Sequence, residues 1–151
     1  MLSGRLIHLI EAHQEQIATD VIREIRRHPD LAKLRLISDA ELRARGQQIL
    51  ENLGYWLSAA GHEAEIRQTY ENLGKIRFEE AIPLHESVRA LALVKDKMID
   101  FVHDQGIPRT SVALYAEEEL ERRVGRFFDE LTINMVRGYE TAWRRAMHAA
   151  A

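Results

Sequence analysis

At 151 residues the chain has the length of one ordinary domain and can bury roughly two thirds of the surface its unfolded form exposes. Its 21 basic and 24 acidic residues leave a formal net charge of -3, so no excess positive field is available to hold nucleic acid or an anionic membrane. The absence of cysteine excludes disulfide scaffolds, thiolate metal sites and cysteine nucleophiles, and no apolar run reaches the roughly 18 residues of a membrane span, so a cytoplasmic protein is expected.

Only 8 Gly and 3 Pro interrupt a sequence rich in Ala, Leu, Glu, Arg, Ile and Gln, and no alternating apolar run favours a strand, so the expected class is all-α. Leu6, Ile10, His13, Ile17 and Val21 recur at steps of three and four and mark one face of a first helix, which runs from Ser3 to His28 and stops at Pro29. His13 falls on the apolar stripe and reads as a core histidine with a hydrogen-bond partner. Leu31 to Ile37 reads as a short helical turn or packed loop. Ser38-Asp39-Ala40-Glu41 has capping-box spacing and opens a second long helix, with Leu42, Gly46, Ile49, Leu53, Trp56 or Leu57 and Ala60 inward and Gly61 as C-cap. Gly46 weakens that helix by about 1 kcal/mol relative to alanine, which a close helix crossing would explain. Tyr55 and Trp56 read as core or pocket-wall groups.

A third helix opens at His62-Glu63-Ala64-Glu65, with acidic residues at its positive end and Ile66, Tyr70, Leu73 and Ile76 or Arg77 on one side. It breaks at Ile82-Pro83, because proline lacks an amide hydrogen and pushes the preceding residue out of helical backbone. A fourth helix follows, with Leu84, Val88, Leu91, Val94 or Lys95, Met98 and Val102 inward, and closes at Gly106-Ile107-Pro108. Two helices packed at a fixed angle are expected, with Arg77, Glu79, Glu80, His85 and Glu86 gathered at their joint. The last helix, capped by Thr110 or Ser111, carries Ala113, Ala116, Leu120, Val124, Phe127, Leu131, Met135, Tyr139, Ala142 and Ala146 on its stripe and spans on the order of 50 Å. A domain of this size does not need that length. The segment from about Val136 to Ala151 therefore reads either as a dimerisation or signalling extension or as a frayed end, with Tyr139, Trp143 and Met147 keeping apolar surface available.

Catalytic constellations do not assemble. Asp100-x-x-His103 is the nearest match to the Glu-x-x-His pairs of a carboxylate-bridged di-metal bundle, and Ile66 stands where a zinc-hydrolase helix beginning at His62-Glu63 needs its second histidine. No glycine-rich phosphate loop and no Gly-x-Ser-x-Gly elbow is present. The run Glu117-Glu118-Glu119-Leu120-Glu121 reads as a solvated helix face. Histidine phosphotransfer could be cast on His85 with Arg89, or on His103, but neither has a small-residue face around it. The reading is a non-catalytic chain without a metal site.

The opening helix with its Ile22-Arg23-Glu24-Ile25-Arg26-Arg27 run, the Ile49-Leu50-Glu51-Asn52-Leu53 segment and the block from Leu73-Gly74 to Leu91 together resemble the N-terminal domain of RsbRD-type RsbT co-antagonist proteins. That resemblance implies a helical sensor module preceding a STAS or kinase output domain. Leu73-Gly74-Lys75-Ile76-Arg77 is also similar to the Leu/Ile-Gly-x-x-His sequence on the proximal helix of globin-coupled sensors. Arg77 stands where the iron-binding histidine would be, and a protonated guanidinium has no lone pair to give haem iron. The second resemblance therefore implies a haem-free relative, in which His85 is the residue that could substitute. Arg77 itself reads either as a surface arginine paired with Glu79 or Glu80, or as one turned into the joint to fork a carboxylate or fix Glu80 and Glu86.

The expected fold is a five-to-six-helix globin-like sensor or an antiparallel helical bundle with a long C-terminal helix, one sensor domain over residues 1–151. The expected function is signal input in a stress response, relayed through the last helix of a homodimer to an output domain or partner. The alternative is a globin-like protein binding haem or a small molecule. Ligand contacts are placed at Arg77, His85, Glu80, Tyr70 and Trp56, for a small apolar or carboxylate ligand. Dimer or signalling contacts are placed at Phe127, Leu131, Met135, Tyr139 and Trp143.

Overall fold

A computed structural model describes residues 2–58, 61–106 and 109–150, with side chains from residue 4 onward, and these residues form seven α-helices and one short 3-10 turn, with no strand among them. None of these helices is long and apolar enough to cross a membrane. Ala60, Ile107 and Pro108, to which the sequence assigns parts in helix ends, lie outside the described residues.

The first predicted helix is in fact two, α1 (Leu2–Ala12) and α2 (Gln14–Arg27), which meet in a turn at His13 with φ -111° and ψ 22°. The bend lets one stripe serve two sets of partners: α1 packs against α4, α6 and α7, and α2 against α3 and α6. His13 is exposed at that bend, donating from Nδ1 to the Leu9 carbonyl at 2.9 Å and lying against the Phe101 ring, so it is a rim residue and not a core histidine. Past Pro29, Leu31, Leu34 and Ile37 are buried around the 3-10 turn Leu34–Leu36.

The second predicted helix also divides, into α3 (Asp39–Leu50) and α4 (Leu53–Leu57), with Ser58 closing α4. Half of the capping box forms. Ser38 Oγ accepts from the Glu41 amide at 3.2 Å, while the Glu41 carboxylate turns elsewhere. A methyl group at Gly46 would meet Ala18 Cβ at an ordinary 3.6 Å, so the α2–α3 crossing does not demand glycine there.

The remaining helices are α5 (Glu63–Glu79), α6 (Leu84–His103) and α7 (Ser111–Ala150), the last with 40 residues and a length of about 60 Å. Much of the packing in this half of the molecule converges on α7: α1, α4, α5 and α6 all pack on it, α5 most extensively, while α6 also packs on α2. Contact between α5 and α6 is slight, so the pair expected to pack across the proline joint is instead two helices that each lean on α7. Glycines set the α5–α7 approach. A methyl at Gly74 would overlap the Met135 carbonyl oxygen and sit 3.1 Å from Gly138 Cα, and a methyl at Gly138 would overlap the Glu71 carbonyl oxygen.

Burial along α7 continues through Phe127, Leu131, Met135, Tyr139 and Ala142. Residues from Trp143 to Ala150 are exposed, so the part of α7 outside this chain's own core begins after Ala142 and not at Val136. Four of the five residues assigned to dimer or signalling contacts thus lie in this chain's own core, and Trp143, 56% exposed, is the one that faces solvent.

Candidate functional site at the joint between α5 and α6

The joint is built by a helix stop two residues ahead of the proline. Ala81 adopts φ +60°, its amide donates to the Phe78 carbonyl, and the Ile82 amide reaches back to the Arg77 carbonyl, both at 2.9 Å. This is the Schellman arrangement, with alanine in the left-handed position that glycine usually fills, at a cost of about 1–2 kcal/mol. Pro83 (φ -58°, ψ 141°) then serves as the N-cap of α6. The first turn of α6 buries Glu86 and Ser87, and the predicted inward Leu84 is 38% exposed.

Those buried polar groups have partners distant in sequence. Glu86 Oε1 accepts from the amides of Lys33 and Leu34, each at 3.0 Å, and so caps the 3-10 turn. Tyr139 Oη donates to the Ile82 carbonyl at 2.8 Å and accepts from Ser87 Oγ at 2.7 Å. One phenol on α7 therefore holds both the linker and the first turn of α6. Burial raises the Tyr139 pKa above the ordinary value, opposed by the hydrogen bond from Ser87.

Arg77 is buried, and its Nη1 lies 2.9 Å from Glu41 Oε1 and 2.8 Å from Glu80 Oε1. Of the two sequence readings, the inward one describes its position, with Glu80 but not Glu86 as partner. Glu41, from α3, was not anticipated. Its capping-box spacing accounted for it locally, and nothing in the sequence signalled a second role.

Beneath the joint, α2, α3, α5, α6 and α7 line a partly open cavity of about 60 Å³ walled by aliphatic side chains such as Val21, Ile49, Leu73 and Leu91. Its polar lining is Arg45, Tyr70, Arg77 and Ser87. Tyr70 is 3% exposed and its hydroxyl has no hydrogen-bond partner among the described residues; burial pushes its pKa well up, and the nearby Arg45 charge partly offsets this. Of the five predicted ligand residues, the structure thus brings Tyr70 and Arg77 to one cavity with Glu80 paired at its edge. His85 is exposed and does not line the cavity. Trp56 belongs to a separate surface groove with His62 and Arg123, where it stacks on Phe127 and donates to the Gln48 carbonyl at 2.9 Å. Tyr55, expected in the core or a pocket wall, is 47% exposed and donates to Glu65 at 2.7 Å.

A second polar cluster joins the end of α6 to the start of α7. His103 Nε2 lies 2.8 Å from Glu117 Oε1 and 2.7 Å from Glu121 Oε1, and the three donor atoms fall within 4.8 Å of one another. A divalent ion could be held by these donors, and an imidazolium satisfies the same two carboxylates as an ion pair.

Comparison with protein families finds that the model described as the RsbT co-antagonist protein rsbRD N-terminal domain matches residues 15–151. No curated protein and no solved structure matches the chain.

Proposed function

Since the chain belongs to the family of RsbT co-antagonist protein rsbRD N-terminal domains, a regulatory family of stress signalling, we propose that it is a non-catalytic signal-input domain that relays binding at the α5–α6 joint through α7 to an output domain or partner protein. The observation that carries this reading is the pair of hydrogen bonds by which Tyr139 of α7 holds the Ile82 carbonyl and Ser87. A binding event that favours one geometry of the joint also favours one position of Tyr139, and with it the exposed end of α7 that starts at Trp143. A difference of about 1 to 3 kcal/mol in affinity for two such arrangements is enough for a useful population shift. Trp143 and Met147, 56% and 55% exposed, offer that end an apolar surface for a second copy of the chain or for an output module such as STAS or kinase.

Hydrogen exchange on wild type and Tyr139→Phe tests the relay. The expected result is a joint loss of protection at residues 80–88 and at residues 139–146. Loss confined to the joint would refute it, because α7 would then be indifferent to what the joint does.

A further inference from the structure

We propose that the cavity beneath the joint binds a short-chain carboxylate, with its aliphatic tail against the apolar wall and its carboxylate received by Tyr70 Oη and the Arg45 guanidinium. This rests on the signal-input reading and adds to it the chemical class of the ligand.

The polar groups that line the cavity differ in what they already hold. Ser87 is engaged with Tyr139, and the Arg77 charge is balanced by Glu41 and Glu80, both at Nη1. Two lining groups have no partner at all among the described residues, the Tyr70 hydroxyl and the half-buried Arg45 guanidinium. Tyr70 is almost wholly enclosed, its hydroxyl makes no hydrogen bond among the described residues, and that oxygen is not a sealed, unpaired atom, which fits a donor open to the cavity it lines. Both groups are donors near neutral pH, where a phenol is protonated, and one of them is a cation. Their complement is therefore an acceptor carrying negative charge. The rest of the wall is aliphatic, which excludes a polar body and favours an apolar one.

Size narrows the class further. A volume of about 60 Å³ corresponds to roughly two water molecules' share of the liquid, so with the carboxylate at the half-exposed Arg45 rim the tail that fits has at most roughly two carbons. Ser87 of α6 and Met135 of α7 line the same cavity, so a bound tail touches the elements that Tyr139 ties together.

Calorimetric titration of the whole chain with sodium propionate, and separately with 1-propanol, tests the proposal on wild type, Tyr70→Phe and Arg45→Gln. Propionate should bind at least about tenfold more tightly than 1-propanol, and each substitution should weaken propionate by between about tenfold and a hundredfold. Tyr70→Phe should do so without lowering the melting temperature, the signature of a hydroxyl kept for a ligand and not for stability. Equal binding of acid and alcohol, propionate binding untouched by both substitutions, or no binding at about 10 mM would each overturn the assignment. If propionate fails while the exchange coupling through Tyr139 holds, the ligand class falls and the relay stands. If propionate binds as expected yet leaves exchange at residues 139–146 unchanged, the site stands and the relay falls.

Discussion

Replacing Gly138 with alanine puts a methyl group where the Glu71 carbonyl oxygen of α5 already lies, at a separation well inside the 3.0 Å that real methyl carbons respect. The obstacle is backbone, so no rotamer change relieves it, and α5 and α7 must part by roughly 1 Å. A gap of that size forfeits roughly a quarter to a half of the dispersion attraction along the seam, which includes Tyr70, Leu73, Met135 and Tyr139. Overpacking of this kind costs about 1–3 kcal/mol, and alanine's better helix propensity returns about 1 kcal/mol. With rigid backbone on both sides the upper part of the range applies, for a net loss of about 2 kcal/mol. Gly125 on the same helix is the control. Nothing lies within 4 Å of a methyl there, so Gly125→Ala should gain up to about 1 kcal/mol. Equilibrium urea unfolding, with slopes compared to confirm two-state behaviour, measures both. Equal stabilities for the two variants would refute the backbone-contact reasoning. The double variant Gly74→Ala with Gly138→Ala should cost less than the sum of its parts, because one displacement relieves both overlaps.

The ion pairs at Arg77 should respond asymmetrically. Arg77→Met removes the buried charge and leaves carboxylates with access to water, whereas Glu41→Gln with Glu80→Gln strands a buried guanidinium and should cost about 3–5 kcal/mol; a smaller loss in the double variant than in Arg77→Met would contradict the geometry. Glu86→Ala uncaps the Lys33 and Leu34 amides, with an expected loss of about 1.5–3 kcal/mol and faster exchange at those two amides, and unchanged exchange there would show the cap to be idle. Tyr70 and Tyr139 both ionise above the ordinary value of 10.0 in the folded state, so the native chain keeps protons that the unfolded chain releases. Stability from this source is complete below about pH 10 and falls as pH rises further. Phenolate absorbance should therefore grow together with unfolding, and Tyr70→Phe should flatten the decline; ionisation of both phenols in a chain still folded by circular dichroism would count against it.

Local chemistry was readable in the sequence wherever a residue acts on its neighbours. Pro29 stops α2, Ser38 caps α3, and the stripes of α5 and α7 are the faces those helices bury. What could not be read depends on the partner across the gap. His13 and Glu51-Asn52 contain no breaker, yet the chain bends at both, because the helices on either side pack against different neighbours. The start of α6 misleads for a related reason: Leu84 and Val88 fit an apolar stripe, but Glu86 and Ser87 are the buried pair, held by amides of residues 33 and 34 and by Tyr139. Gly74 suggested a haem-helix motif, and its need for glycine lies in Gly138 and Met135. At the site itself, Tyr70, Arg77 and Glu80 were nameable from their helix, while Arg45, Glu41 and Ser87 join them only through the fold.

Translation delivers α7 after every helix that leans on it. Until the segment beyond Ser111 has left the ribosome, α5 lacks its most extensive partner, and a nascent chain at that stage carries bare apolar surface along that seam. Maturation of this half of the molecule thereby waits for the segment that carries α7. Stalled chains released from the exit tunnel only as far as Val124 should be cut by protease along α5, and those released past Ala142 should resist.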